Sequence, residues 1–256
     1  MSEIEFRAGS DGVGEIVFNR PEKRNAFTTK MFLDLYEIVR SDEVQSHKAV
    51  VVRGEGSNFC GGVDLNEVAN PARLKLPSAL AVEMAALYRQ TRPVLIAAVN
   101  GPTLGLGASI AMSCDMVVAG ETAQFGYPEV HHGLVATFAL VGLRAVVPMR
   151  KAFELVVTGR RIPAAEALAI GMVNELAPDD RVVERAFAIA REIARYPEEA
   201  VHVTKRFFYE NEELSYSQAA HAADRVTKLM RQTNAAKKQA AAFLAAKAAR
   251  AADGAR

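Results

Sequence analysis

Apolar and polar residues change their period several times along this chain, and each change predicts an element. Ile4 and Phe6 alternate with polar neighbours, Gly9-Ser10-Asp11-Gly12 has the chemistry of a turn, and Ile16-Val17-Phe18 follows. That pattern predicts a β-hairpin, ended by Asn19-Arg20-Pro21. From Thr28 the period lengthens: Met31, Phe32, Leu35, Ile38 and Val39 recur at helical spacing, with Thr28 or Thr29 as the N-cap. Ala49-Val50-Val51-Val52 is short and β-branched, which predicts a buried strand.

Gly54 to Asn58 and the Gly61-Gly62 pair predict a loop, and Asn70-Pro71 with Pro77 another, so the stretch from Leu65 to Ser78 reads as a mobile surface excursion. A helix is predicted from Ser78 to Gln90, then a second buried strand, Val94–Val99. The small-residue run Gly105–Ser113 suits a helix packed closely on a sheet, and Met116–Ala119 is the strand after it. Beyond about residue 145 helical spacing dominates, in Arg150–Thr158, Ala164–Ala169, Asp180–Arg195, Glu199–Glu210, Ser215–Gln232 and an Ala-rich Ala235–Ala249 with Phe243 and Leu244 on one side. The organisation expected is a core over residues 1–195, built from strand, loop and helix units, and a helical region over 196–256 that covers the core or an oligomer partner. No low-complexity linker separates them.

Composition narrows the function classes. Thirty-one basic and thirty acidic residues leave a formal charge of +1, so no global field draws the chain to nucleic acid or an anionic membrane, and an anionic ligand must be met by local groups. Cys60 and Cys114 sit in small, apolar surroundings without CxxC or Cys/His spacing, which predicts buried free thiols and no metal site. The start, Met1-Ser2-Glu3-Ile4-Glu5, has neither a basic nor a long apolar segment, and no run of about 18 apolar residues occurs. A cytoplasmic protein is expected.

Four segments carry candidate chemistry, in a fixed order: Asn19-Arg20-Pro21-Glu22-Lys23-Arg24-Asn25-Ala26, Asn58-Phe59-Cys60-Gly61-Gly62-Val63-Asp64-Leu65, Asn100-Gly101-Pro102-Thr103-Leu104-Gly105-Leu106-Gly107-Ala108-Ser109, and Phe125-Gly126-Tyr127-Pro128-Glu129. Each alone is weak, and Gly105-x-Gly107 by itself equally serves close helix–sheet packing. Together the segments resemble the crotonase (enoyl-CoA hydratase/isomerase) superfamily, with its N-R-P-x-x-x-N-A, F-x-x-G-x-D-[LI], N-G-x-x-x-G-x-G and F-G-x-[PS]-E motifs. The resemblance runs from about Glu15 to Asn174, including Ala164-Ala165-Glu166-Ala167 and Gly171-Met172-Val173-Asn174. It implies an α/β fold, the crotonase spiral of repeated ββα units with a helical C-terminal region. It also implies a homotrimer or dimer of trimers, and an acyl-CoA substrate with coenzyme A as part of that substrate rather than as a separate cofactor.

By the same resemblance, the backbone N–H groups of Val63 and Leu106 would hold a thioester oxyanion, and Glu129 would move the proton. Preorganised backbone donors suit charge that develops on a carbonyl oxygen, and a helix start adds its dipole at Leu106. A glutamate among Phe125, Tyr127 and Val130 is expected to be partly desolvated, which raises its pKa. Hydratases with two catalytic glutamates carry the other one where this chain has Ser109, which can hold a water but is no general base at neutral pH. Thr137 stands where a glycine usually helps place the attacking water. One glutamate suffices to move a proton between carbons, as in the family's 3,2-enoyl-CoA isomerases, and in some relatives it also suffices for hydration as the single acid/base. The resemblance therefore leads to enoyl-CoA hydratase first and 3,2-enoyl-CoA isomerase second.

The resemblance thus assigns catalysis to Glu129, Val63, Leu106 and Ser109, and contact with the substrate or its coenzyme A moiety to Arg24, Ala26, Gly62, Asp64, Leu65, Gly105 and Lys247. Of these, Asp64 reads as a brace for the oxyanion loop; Arg24, like Lys23, is either a phosphate contact or part of a solvated face, and Lys247 is either a contact with the coenzyme A of a neighbouring subunit or part of a solvated face. His131 and His132 adjoin Glu129, yet consecutive side chains diverge. Ser109 with His131 lacks a nucleophile elbow. A crotonase-type chain that binds acyl-CoA without turnover is the competing class, opposed by the presence of Glu129 with both oxyanion segments. A doubly wound nucleotide-binding enzyme lacks its glycine-rich or P-loop signature.

Overall fold

The computed structural model describes residues 2–70 and 78–253. The predicted excursion from Leu65 to Ser78 falls partly outside them. Its described start is a helical turn, Leu65–Val68.

Two units make up the chain, Met1–Tyr196 and Pro197–Arg256. In the first, β1 (Ile4–Ala8) and β2 (Val13–Phe18) form the expected antiparallel hairpin. A short 3-10 turn, Pro21–Lys23, leads to α1 (Thr29–Arg40), whose N-cap Thr28 accepts the Met31 N–H at 3.2 Å. α2 (Asp42–Gln45), β3 (Ala49–Gly54), α3 (Leu65–Val68), α4 (Ser78–Gln90) and β4 (Val94–Val99) follow. Next come β5 (Pro102–Leu104), α5 (Leu106–Ser113), β6 (Met116–Gly120), β7 (Gln124–Gly126) and a 3-10 segment, Pro128–His132. The unit closes with α6 (Thr137–Val146), α7 (Met149–Thr158), β8 (Arg161–Pro163), α8 (Ala164–Ala169), β9 (Glu175–Ala177) and α9 (Val182–Ala194).

The larger sheet runs β1-β2-β3-β4-β6-β9, parallel throughout except for the opening hairpin. Strands covered on both faces read as continuous apolar runs, which is why Ala49–Val52 and Val94–Val99 do not alternate. Val50, Val52, Leu95, Ala97 and Val99 face the main core. The residues between them point the other way, to the face on which α9 packs with Val182, Ala186 and Ala190. A smaller sheet, β5-β7-β8, stands beside it, with β5 and β7 parallel. Each parallel strand is reached through a loop and helix, the spiral of ββα turns that the sequence motifs imply.

Sequence periodicity did not find β5, β7, β8 or β9, because three residues are too few to display a period. Helix resumes at Thr137, earlier than the expected position near 145. The run Leu134-Val135-Ala136 is apolar all round, and α6 buries Ala139 and Leu143 while exposing Phe138 and Val141, so no polar face marks its start.

The second unit is helical: α10 (Glu198–Glu210), α11 (Tyr216–Gln232) and α12 (Asn234–Asp253). Ser215 opens α11 with a capping box closed by Gln218. Phe243 and Leu244 on α12 are exposed within the unit.

Candidate active site

Three loops at the ends of parallel strands converge, and aromatic packing fixes the first two. Phe18 at the end of β2 meets Phe27 and Phe59 edge to face, with ring centroids 4.9 and 5.3 Å apart. Asn25 sits in the left-handed region (φ +53°), wholly buried, where its side chain accepts the Arg20 N–H at 2.8 Å and donates to Glu55 O and Asn58 O at 3.0 and 2.7 Å. The loop after β1-β2 is thereby tied to the loop after β3. Single parallel bridges continue the weave, Phe27 with Val63 and Cys60 with Thr103.

The two expected oxyanion donors are each oriented from behind. Gly62 C=O accepts the Phe27 N–H at 2.8 Å. The Val63 N–H belongs to the same planar trans peptide and therefore points the opposite way. Gly105 C=O likewise accepts the Ser109 N–H at 3.0 Å inside α5, which turns the Leu106 N–H outward at the helix start, where no intrahelical acceptor exists. The two peptides lie close together: a Cβ on Gly105 would stand 3.9 Å from Gly62 Cα, and one on Gly62 would stand 3.2 Å from Leu104 O. Gly62 at φ +109° and Gly105 at φ +53° adopt backbone geometry that side chains resist.

The Glu129 carboxylate reaches the same place, its Oε1 3.2 Å from the position a Cβ on Gly105 would take. Its Oε2 is buried and has no hydrogen-bond partner among the described residues. Burial lifts this carboxyl above the ordinary glutamate range, opposed by its own backbone N–H and by the His132 charge. Tyr127, wholly buried two residues earlier, has its phenol pushed up by burial and by the Glu129 charge. A half-buried carboxyl with a raised pKa beside two outward-facing backbone N–H groups is an arrangement suited to chemistry next to a carbonyl.

The remaining expected residues divide. Ser109 lies on α5, half-buried, with its hydroxyl donating to Gly105 O at 3.2 Å. Asp64 caps α3 by accepting the Asn66 N–H at 2.9 Å, and its other oxygen meets Arg20 Nη1 at 2.8 Å. Burial alone would raise the Asp64 carboxyl, but Arg20 and Asn66 outweigh it and hold it low. Ala26 is half-buried beside these groups, with its carbonyl accepting from Arg20 at 2.9 Å, while Leu65 is exposed at the start of α3. Arg24 has an exposed side chain and a carbonyl that accepts the Gly61 N–H at 2.8 Å. Lys247 is exposed on α12 of the second unit. His131 is exposed, its Nε2 donating to Thr158 O at 2.8 Å.

Two supports escaped sequence reasoning. Arg20 joins Asp64, Ala26 O and Glu3, a role its place in the N-R-P segment gave no way to see. Cys60, the expected buried thiol, accepts the Gly62 N–H at 3.5 Å and lies 3.8 Å from Gly62 O, directly behind the first donor peptide. Burial pushes its thiol up to about 12. Among the described residues no group of three His, Cys, Asp or Glu could hold a metal ion, and no helix is long and apolar enough to cross a membrane.

The sheet order, the spiral and the converging loops define the crotonase fold. The chain belongs to the enoyl-CoA hydratase/isomerase family, whose model matches residues 8–250. A Thermus thermophilus protein carrying an enoyl-CoA hydratase designation is 35% identical over 200 residues, 75% of this chain and 79% of that one. The crystal structure of human enoyl coenzyme A hydratase domain-containing protein 3 superposes with a TM-score of 0.89 at 27% identity, covering 95% of this chain and 97% of that one. A Thermobifida fusca protein solved in complex with CoA gives a TM-score of 0.82 at 27% identity, over 92% of this chain and 95% of that one.

Proposed function

We propose that this chain binds acyl-CoA thioesters and hydrates 2-enoyl-CoA to 3-hydroxyacyl-CoA. The observation that carries the reading is the convergence of the Gly62–Val63 and Gly105–Leu106 peptides with the Glu129 carboxylate. The thioester oxygen accepts from the Val63 and Leu106 N–H groups. Glu129, as carboxylate, takes a proton from a water that adds to the β carbon, and the electron pair of the double bond moves through the α carbon onto the held oxygen. The enolate then collapses as Glu129 returns the proton to the α carbon, so one molecule of water is added and the carboxylate is regenerated.

Relatives named as hydratases support the direction of this reaction. The CoA of the Thermobifida fusca structure supports the ligand class, with Ala26, Leu65 and Arg24 as the proposed contacts and Lys247 as a proposed contact with the CoA of a neighbouring subunit. Assembly as a homotrimer or a dimer of trimers belongs to the same proposal and is tested by light scattering.

A second reading, 3,2-enoyl-CoA isomerisation, is favoured by Ser109, which supplies no second carboxylate for a water. Purified protein incubated separately with crotonyl-CoA and with a 3-enoyl-CoA, wild type beside Glu129→Gln, separates the two. Glu129-dependent 3-hydroxybutyryl-CoA supports hydration. Conversion of the 3-enoyl substrate alone supports isomerisation, and inertness toward both with retained CoA binding overturns the catalytic reading.

A further inference from the structure

We propose that Ser109 is a positioning residue for the Leu106 amide and acts through the Gly105 carbonyl. This rests on the reading that the Leu106 N–H meets the thioester oxygen. The Ser109 hydroxyl donates to Gly105 O at 3.2 Å, alongside the Ser109 N–H at 3.0 Å, so this one carbonyl is held twice. A serine that bonds back four residues is common in helices, and there the amide on the far side of the peptide donates onward into the helix. Here it does not. Gly105 is the N-cap and Leu106 the first helical residue, so the N–H of the polarised peptide emerges into the site.

Two effects follow. Hydrogen bonding at the carbonyl draws electron density from the peptide nitrogen and makes the Leu106 N–H a stronger donor, more so because Ser109 is half-buried. The second bond also resists rotation of a peptide that follows a glycine, the residue with the widest backbone freedom. Cys60 stands in the same relation to the other donor, its sulfur lying 3.8 Å from the carbonyl of the Gly62–Val63 peptide. A hydroxyl has one proton, and Ser109 has committed it to Gly105. Toward the substrate Ser109 therefore presents only lone pairs and delivers no proton of its own.

The test uses the full chain with crotonyl-CoA isotopically labelled at the thioester carbonyl, in a Glu129→Gln background that blocks turnover, and reads the carbonyl stretch by difference infrared spectroscopy. With Ser109 present, binding lowers that stretch. Ser109→Ala retains binding but loses a large part of the lowering, Ser109→Thr restores it, and Ser109→Cys, a weaker donor of similar size, falls between. With Glu129 intact, Ser109→Ala lowers kcat about three- to tenfold with KM within twofold, since a weakened donor costs less than the roughly hundredfold loss of a deleted one. Full lowering in both the Ala and Cys variants overturns the role of Ser109 and leaves the oxyanion reading standing. Binding without any lowering, Ser109 included, overturns the oxyanion reading itself.

Discussion

Arg20 Nη1 lies 2.8 Å from Asp64 Oδ2, joining the first motif loop to the second across 44 positions of sequence. Both side chains are mostly buried, at 14% and 8% exposure, so the pair is screened little by solvent. Breaking such a pair from one side strands the other charge. Asp64→Ala is expected to lose about 3 kcal/mol, near the low end for a buried pair because Arg20 keeps Glu3 at 3.1 Å. Denaturant unfolding at neutral pH measures it.

The pH dependence of that contribution has a definite sign. Asp64 is held below its ordinary range in the folded chain, so its stabilisation is present above the unfolded carboxyl value of about 4 and fades as pH falls through the folded one. Asp64→Asn should therefore be less stable than wild type at neutral pH, with the gap narrowing below about pH 4.

The four motif loops were legible in the sequence because their glycines, Asn25 and Glu129 are residue types that backbone geometry or chemistry restricts. Asn25 and Gly62 adopt positive φ, and Gly105 makes room for Glu129. What sits behind those loops was not legible. The Arg20–Asp64 pair, the Cys60 sulfur against Gly62 and the Ser109 hydroxyl on Gly105 are tertiary or helix-start relations between residues that also occur as ordinary surface or core positions. The short strands of the smaller sheet were hidden for a different reason: Pro102–Leu104 is held by its neighbours in space, not by its own pattern.

Glu129→Gln is expected to raise stability while removing activity. Burial raises the Glu129 carboxyl above its unfolded value, so the folded state favours the proton, and at neutral pH the wild type bears the cost of a half-buried charge. The variant should melt higher than wild type at pH 7, and the difference should shrink as pH is lowered toward about 4 and the wild-type carboxyl protonates. Activity has the opposite dependence. The carboxylate is the form that takes a proton, so kcat/KM should rise with pH through a midpoint above the ordinary glutamate value, and the pH profile of the wild type checks this.

Gly107→Ala tests how closely the two donor loops must approach. A Cβ there would stand 2.3 Å from Cys60 O and 2.7 Å from Cys60 Cβ, and neither the backbone nor that short side chain can swing aside. The start of α5 must shift away from the Cys60–Val63 loop, at an expected cost of about 1–3 kcal/mol. The Leu106 donor would move with it, so a loss in kcat of tenfold or more is expected, since misplacement by about 1 Å can cost a hundredfold. Unfolding curves and steady-state kinetics on the same preparation check the two losses together.

His131→Ala separates a neighbour of Glu129 from a participant in the proposed proton transfer. His131 Nε2 donates to Thr158 O, a carbonyl in the last turn of α7 that has no intrahelical partner, and a Cβ at Gly159 would stand 2.7 Å from that same nitrogen. The imidazole is thus engaged in closing a helix end, where a single hydrogen bond contributes about 1 kcal/mol. The variant should lose roughly that much stability, with kcat/KM within twofold of wild type. His131→Asn, which keeps a side-chain donor, should recover part of the loss. If instead kcat/KM collapses while the melting curve is unchanged, proton transfer at this site involves the histidine as well as Glu129, and the one-glutamate mechanism proposed for the reaction must be redrawn.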